Sequence, residues 1–431
     1  MQRLLVKKPG PITNDSIQLQ LLDQKVRPAG KDHIVVEVKS SPISIYDFWI
    51  RMGLDPHQSE EEDADNNDID PSFFQKIKSI FLKRGRKDWD PQTVLGMGGL
   101  GKVCEVSDNL SSDLKMDDFV FFISDGGSHA SHISIPMSMV VKIPPPLTRH
   151  WSILASIPVD FLAAYQMLQC QLPFSTENEG RMKAKKLLVI NGETGIGMAL
   201  IQVAVAMELI VYASAPITFH AQIEQLGAIP VNLVYRSRRH FYRSCTGGGV
   251  DLITMALDPM TCCSSDSSSV FKTLKQFELV LNPGGTLILH GPLYESFSTH
   301  ASEEDGPGRM LGLRLGLFSF KVVQKIRNLG RMLQGFSSER TRLVLYDYLK
   351  MRKPSFQQDM KSLLGLIESD QLALPKARAR IPWSEVSKYY AKMDEMGRDA
   401  FGGHILLEPF FMATFTAGAT TYESASLYES I

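Results

Sequence analysis

Seven residues, Asn191-Gly192-Glu193-Thr194-Gly195-Ile196-Gly197, join the aliphatic run 187–190 to a segment, 198–207, whose apolar residues recur at helical spacing. A glycine-rich turn between a buried strand and a helix suits one task. Amides at the start of a helix have no intrahelical acceptor, and small residues let an anion reach them, so the segment reads as a phosphate cradle. No Gly-Lys-Ser/Thr follows, which excludes a P-loop. The glycines stand as Gly-x-x-Gly-x-Gly at 192, 195 and 197, not as GxGxxG, and a purely structural turn is the competing reading. The strand–turn–helix setting favours the pyrophosphate of a dinucleotide.

The end of the next strand, LIVYASAPITFH, bears on which dinucleotide that is. An NAD site carries an acid about 20 residues beyond the glycines, bonded to the ribose 2′-hydroxyl. From Tyr212 to His220 there is none. Ser214 and Thr218 are candidates to meet a 2′-phosphate instead, with His220 or Arg236 supplying charge, which favours NADPH over NADH. His290 and Gly291 end the strand LILHG, at the carboxyl edge of the sheet where a nicotinamide would lie. A buried structural histidine is the alternative for His290.

These residues need a scaffold that aligns strand ends. The segments KLLVI, LIVYAS, VDLITMAL and GGTLILHG are apolar runs separated by helix-like stretches, MALIQVAVAME, HAQIEQLGA and VFKTLKQFELVL. Such alternation indicates a parallel sheet covered by helices on both faces. Before it, up to about residue 146, HIVVEVKSSPIS, VLGMGGLGKVCEV, DDFVFFI and ISIPMSMVVKI read as β-structure with glycine corners. WSILASIPVDFLAAYQMLQ is helical in pattern and marks the change.

The bulk numbers narrow the class. A chain of 431 residues is expected to form two to three domains. With 46 Lys and Arg against 47 Asp and Glu, a general nucleic-acid binder is disfavoured. Five scattered cysteines, Cys104, Cys170, Cys245, Cys262 and Cys263, form no CxxC pair, and fit a reducing compartment better than a disulfide framework or structural zinc. The N-terminus reads as a first strand, not a signal peptide, and no apolar run approaches a membrane span. A soluble, cytoplasmic protein is expected. The run 59–70 carries seven acids and no base, and lacks the glycine turn and closing glutamate of a calcium loop, so a solvated loop is expected. The segment 307–334 carries six bases and no acid. It reads as a helix across a cleft or subunit interface, or as an interfacial helix making peripheral contact with a membrane.

The order of these pieces resembles the zinc-independent branch of the medium-chain dehydrogenase/reductase superfamily, the quinone oxidoreductase and enoyl reductase group. The resemblance rests on SSPISIYDFWIRMG, VLGMGGLGKVCEV, KMDDFVFF, LAAYQML, INGETGIGMALIQVA, IEQLGA, GGGVDLI, NPGGTLILHG and FGGHILLEP, in that order from about Val36 to Pro409. It implies a GroES-like β-rich catalytic domain over 1–147, with an insertion at 55–93, and a Rossmann doubly wound parallel sheet over 148–374. The chain would return to the catalytic domain at 375–410 and end in a tail over 411–431. The resemblance further implies a cofactor cleft between the domains, Tyr235 beside the adenine, and a homodimer.

Departures from that pattern are specific. Zinc-dependent relatives place a histidine and a glutamate where Met97 and Gly98 stand, so no zinc is expected. Asn191 and Thr194 replace small residues of the glycine loop, Ala163 replaces a threonine that often contacts nicotinamide, and Leu54 replaces a tyrosine proton donor of enoyl reductases. Without a metal, hydride transfer to a quinone or an α,β-unsaturated carbonyl needs alignment and a hydrogen bond for the enolate. Tyr46 and Asp47 are the candidates in the catalytic domain, each with a structural role as the alternative. Two functional expectations therefore stand: an NADPH-dependent oxidoreductase of quinones or enones, or a family member with weakened catalysis that binds a nucleotide, partner or membrane.

Overall fold

The computed structural model describes residues 2–6, 17–21, 26–44, 47, 94–106, 114–169, 185–232, 239–256, 277, 279–291, 341–347, 353–396 and 403–408. Tyr46, Leu54, Tyr235, Arg236, the acidic run 59–70, the basic segment 307–334 and the tail lie outside the described residues.

Among the described residues up to 142 lie seven strands: β1 (Gln2–Val6), β2 (Ile17–Leu21), β3 (His33–Pro42), β4 (Gly98–Val106), β5 (Phe119–Ile123), β6 (His132–Pro136) and β7 (Val140–Lys142). β1 and β2 form an antiparallel pair of their own. Helix α1 (Leu162–Gln169) follows a π-helical turn, Ile157–Phe161. Then come β8 (Lys186–Ile190), α2 (Gly195–Ala206), β9 (Ile210–Ala215), α3 (His220–Gln225), β10 (Ile229–Asn232), α4 (Arg239–Cys245), β11 (Val250–Ala256), β12 (Leu281–Gly291) and β13 (Thr341–Asp347). The chain closes with α5 (Phe356–Glu368), β14 (Ala377–Pro382), α6 (Val386–Met396) and β15 (His404–Glu408).

The expected parallel sheet is present. Six strands run in the order β10-β9-β8-β11-β12-β13, every neighbouring pair parallel. Numbered within the domain this is 3-2-1-4-5-6, the doubly wound Rossmann order, whose topological switch lies between β8 and β11. The β8 residues Leu187 to Ile190 are all buried, as a strand covered on both faces requires. Helix α2 is apolar almost all round and is accordingly buried from Gly197 to Ala204.

The second sheet has seven strands: the path β14-β15-β3-β4-β5-β7, with β6 paired to β3. It is built from both ends of the chain. β15 joins β3 through Leu406–Pro42 and Leu407–Ser41, which carries the C-terminal strands back onto the first domain. One core cluster runs continuously from Phe121 of this sheet, with Ile43 and Met97 at the ends of β3 and β4, to Leu200 and Ile201 of α2 and Val211 of the Rossmann sheet. The two halves therefore share buried surface, not only a linker.

Leu406 is fully buried in β15, inside that shared cluster. Truncating it to alanine is expected to cost about 2–5 kcal/mol of stability through lost burial and the cavity left behind, read as a lower midpoint in chemical denaturation.

Candidate functional site between the glycine loop and the seven-stranded sheet

Asn191 begins the glycine loop with φ +65°, a left-handed conformation that asparagine tolerates better than most side chains, which explains how it can stand in place of a smaller residue. Gly192 N donates to Ser214 O of β9 at 2.9 Å, pinning the turn to the sheet. Thr194 caps α2. Its hydroxyl accepts from Gly197 N at 3.1 Å and donates to Asn191 O at 2.9 Å. Met198 N is bonded to Thr194 O, and Gly195 and Ile196 supply the first amides of the helix. At Gly197, α2 packs tightly against the turn after β8: a Cβ there would lie 2.3 Å from Asn191 O and 2.8 Å from Gly192 Cα.

Glu193, in the middle of the loop, is fully buried. Its carbonyl accepts from Gly403 N at 2.6 Å, and Thr194 forms an isolated parallel bridge with Gly403, just before β15. Two residues that the sequence did not single out complete this junction. His404 Nδ1 lies 2.8 Å from Asp160 Oδ2, and the imidazole stacks on Phe161 with ring centroids 5.3 Å apart. Asp160 comes from the π-helical turn before α1, a type of irregularity frequent at functional positions. A Cβ on Gly195 would meet Asp160 Oδ2 at 2.8 Å and His404 Nδ1 at 3.3 Å. A carboxylate of the protein thus faces the first residue of α2, the same end that attracts a phosphate.

The carboxyl ends of the central strands align. Thr254 pairs with Val189, and Ala256 pairs with His290, which pairs in turn with Tyr346. His290 is 2% exposed, and burial pushes its pKa down to about 3, so the ring is neutral at ordinary pH. Gly291 is the last residue of β12. Ser214 is fully buried, and its hydroxyl is 3.1 Å from the hydroxyl of Tyr242 on α4, which occupies it inside the sheet's packing. The His220 ring is turned back as well, with Nε2 3.1 Å from Ala215 O. Thr218 is exposed.

On the side of the seven-stranded sheet, Asp47 is fully buried. Its Oδ2 accepts from Ser44 N (2.7 Å) and Ser44 Oγ (3.0 Å), and its Oδ1 accepts from Gly96 N (2.7 Å). The carboxylate clasps the end of β3 to the entry of β4, a positioning role. The neighbouring His129 is also buried, which lowers its pKa, with Nε2 3.4 Å from Pro42 O. Met97 is core and Gly98 opens β4. Ala163 is buried in α1. Among the described residues, no group of three His, Cys, Asp or Glu is arranged to hold a metal, and no helix is long and apolar enough to cross a membrane.

Two outcomes are expected from this geometry. Replacing Gly197 with alanine forces α2 away from the turn after β8, and thermal melting is expected to show destabilisation well beyond the few tenths of a kcal/mol of an ordinary surface substitution. The neutral His290 makes stability pH-dependent. The unfolded chain protonates this ring near pH 6.5 and the folded chain only near 3, so stability is full above about 6.5 and is lost as pH falls toward 3. The contribution between pH 7 and pH 4 is about 3 kcal/mol, and denaturation of His290→Gln is expected to show a correspondingly shallower acid dependence.

No family model and no curated relative matches the sequence. Solved structures do match over almost the whole length. The CurK enoyl reductase is 16% identical with a TM-score of 0.64, covering 94% of this chain and 98% of the other. A mycobacterial protein solved in complex with NADPH is 17% identical with a TM-score of 0.63, covering 95% and 100%. The human synaptic vesicle membrane protein VAT-1 homolog-like protein is 16% identical with a TM-score of 0.62, covering 95% and 98%. At this identity the likeness speaks for the fold: the chain has the two-domain architecture of the medium-chain dehydrogenases and reductases, a GroES-like domain closed from both chain ends around a Rossmann domain.

Proposed function

We propose that the protein is an NADPH-dependent, zinc-independent oxidoreductase that reduces quinones or α,β-unsaturated carbonyls. The observation that carries this reading is the glycine loop at the carboxyl end of β8, beside the switch point of a 3-2-1-4-5-6 sheet, level with His290 and facing the catalytic domain. The loop meets the needs of a pyrophosphate: small residues at 192, 195 and 197, and the first amides of a twelve-residue helix. The amides of Gly195 and Ile196 would hold it, while Gly291 and the neutral His290 would border the nicotinamide. When bound, a reduced nicotinamide supplies the hydride. The chain's own part is alignment and a hydrogen bond to the developing enolate, for which Tyr46 is the candidate, with Asp47 fixing the β3–β4 corner next to it. Met97 in the core and Gly98 in a strand stand where zinc-dependent relatives carry ligands, which supports chemistry without zinc. The lack of an acid from Tyr212 to His220 supports NADPH over NADH. The reading includes a homodimer in the cytoplasm, the former from the resemblance and the latter from the few, scattered cysteines.

A second reading, a nucleotide- or partner-binding protein with weakened catalysis, draws on one observation. Asp160 faces the N-terminus of α2, where a bound phosphate would meet a like charge. Titration with NADPH and NADH, followed by tryptophan quenching, and then addition of a simple quinone or enone, separates the two. The oxidoreductase reading expects NADPH to bind more tightly than NADH and to be consumed on adding the acceptor. Binding without consumption would favour the second reading, and binding of neither nucleotide would overturn both dinucleotide assignments.

A further inference from the structure

A helix that begins with open amides favours an anion at its N-terminus, and at α2 the protein sets a carboxylate of its own there. Asp160 Oδ2 lies 2.8 Å from where a Cβ on Gly195 would stand. The Asp160 side chain is 14% exposed, so it is not sealed off from solvent. His404 arrives from β15 and holds this carboxylate, with Nδ1 2.8 Å from Oδ2. A carboxylate oxygen accepts, so Nδ1 carries the ring's proton and Nε2 is bare in the neutral tautomer. Nε2 is buried and has no hydrogen-bond partner among the described residues, on a side chain only 3% exposed.

The place of the pair follows from the return of the chain. Gly403 is bonded to the glycine loop through Glu193 O, and the next residue is His404. The ring is held flat against Phe161 of the π-helical turn that carries Asp160. The other charged or titratable side chains on the elements around it are Glu193 in the loop, Arg378 on β14 and, where β3 ends, Asp47 and His129. Asp47 is held by Ser44 and Gly96, and His129 faces Pro42 O. Among the described residues Asp160 alone is hydrogen-bonded to the His404 ring.

We propose that Asp160 and His404 set the charge of the phosphate site, and that binding of the nucleotide's pyrophosphate is accompanied by uptake of one proton from solvent at His404 Nε2. The proposal rests on the dinucleotide reading above. With the ring neutral, the pair carries the carboxylate's negative charge, and a pyrophosphate at the amides of Gly195 and Ile196 meets it as a like charge. A proton at Nε2 makes the pair an imidazolium and a carboxylate, neutral together, and removes the repulsion. In the empty site that proton has no acceptor, whereas the bound anion supplies an opposing charge. Imidazole suits the task, because it is the side chain that ordinarily changes charge between about pH 5 and 8. By linkage, a ligand whose binding takes up one proton binds more weakly as pH rises, by about tenfold per pH unit at most.

The test is NADPH titration of the full-length wild type, Asp160→Asn and His404→Gln at about pH 6.5 and about pH 8.5, with thermal melting to show that each variant is folded. The nucleotide's own titration is common to all three, so the difference between proteins is the readout. Wild-type affinity is expected to fall about tenfold from the lower pH to the higher. Asp160→Asn keeps an acceptor for Nδ1 without the charge. It is expected to bind about tenfold more tightly than the wild type at the higher pH and to lose most of the pH dependence. His404→Gln can still donate to Asp160 but takes up no proton, and is expected to be weak at both. A pH dependence that persists in both variants would belong to Glu193 or to the nucleotide and would overturn the role of the pair. A wild-type affinity that does not change with pH would overturn it too, while leaving the dinucleotide site standing. Should His404→Gln not fold, Asp160→Asn decides alone, since an aspartate with a merely structural role gives no gain in affinity when its charge is removed. A wild type that binds no nucleotide at either pH would remove the site and the coupling together.

Discussion

Helix α2 lies against the turn that follows β8 because Gly197 has no side chain to hold it away. The helix backbone approaches Asn191 O and Gly192 so closely that a single methyl would overlap them. That contact fixes where the first turn of α2 points, and hence where its unbonded amides face. Asn191 in the left-handed region turns the chain, Gly192 ties the turn to β9, and Thr194 caps the helix. The rest of the site is arranged around this rigid strand–turn–helix unit. His290 and Gly291 stand at the matching end of β12, and the seven-stranded sheet meets the loop from the opposite side through Gly403.

The closure is polar at its centre and apolar around it. Glu193, Thr194 and Gly403 join by backbone groups, and Asp160 and His404 form a nearly buried pair next to them. Removing one member would leave the other's polar atom without that partner in a largely buried setting. Around it, the continuous core that links the two sheets supplies the burial energy.

Much of the architecture was legible because strands buried on both faces must be apolar throughout. KLLVI, LIVYAS, VDLITMAL and GGTLILHG each became a strand of the parallel sheet. β10, only Ile229–Asn232 and interrupted by a proline, carries too little pattern to be seen, and β13 follows the long basic segment that drew attention away from it. The glycine loop was legible because backbone approach demands residue types that sequence displays directly. Side-chain partners were not. Ser214 was visible as a hydroxyl at a strand end, but its bond to Tyr242 depends on how α4 packs. Asp47 was visible as an acid in the right segment, while its engagement by Ser44 and Gly96 is a property of a corner closed by residues far apart in sequence. Asp160 and His404 are 244 residues apart, and no spacing rule links them.

The bridge from the glycine loop to Gly403 also constrains motion. Enzymes of two domains commonly open and close about a hinge, with the ligand grip carried by one of them. Here the glycine loop is itself stitched to the opposite domain by Gly403 N–Glu193 O and the neighbouring strand bridge. Separating the domains cannot leave the loop undisturbed, because the same hydrogen bond belongs to both events. Any displacement of β15 relative to the parallel sheet would therefore be felt directly in the glycine loop.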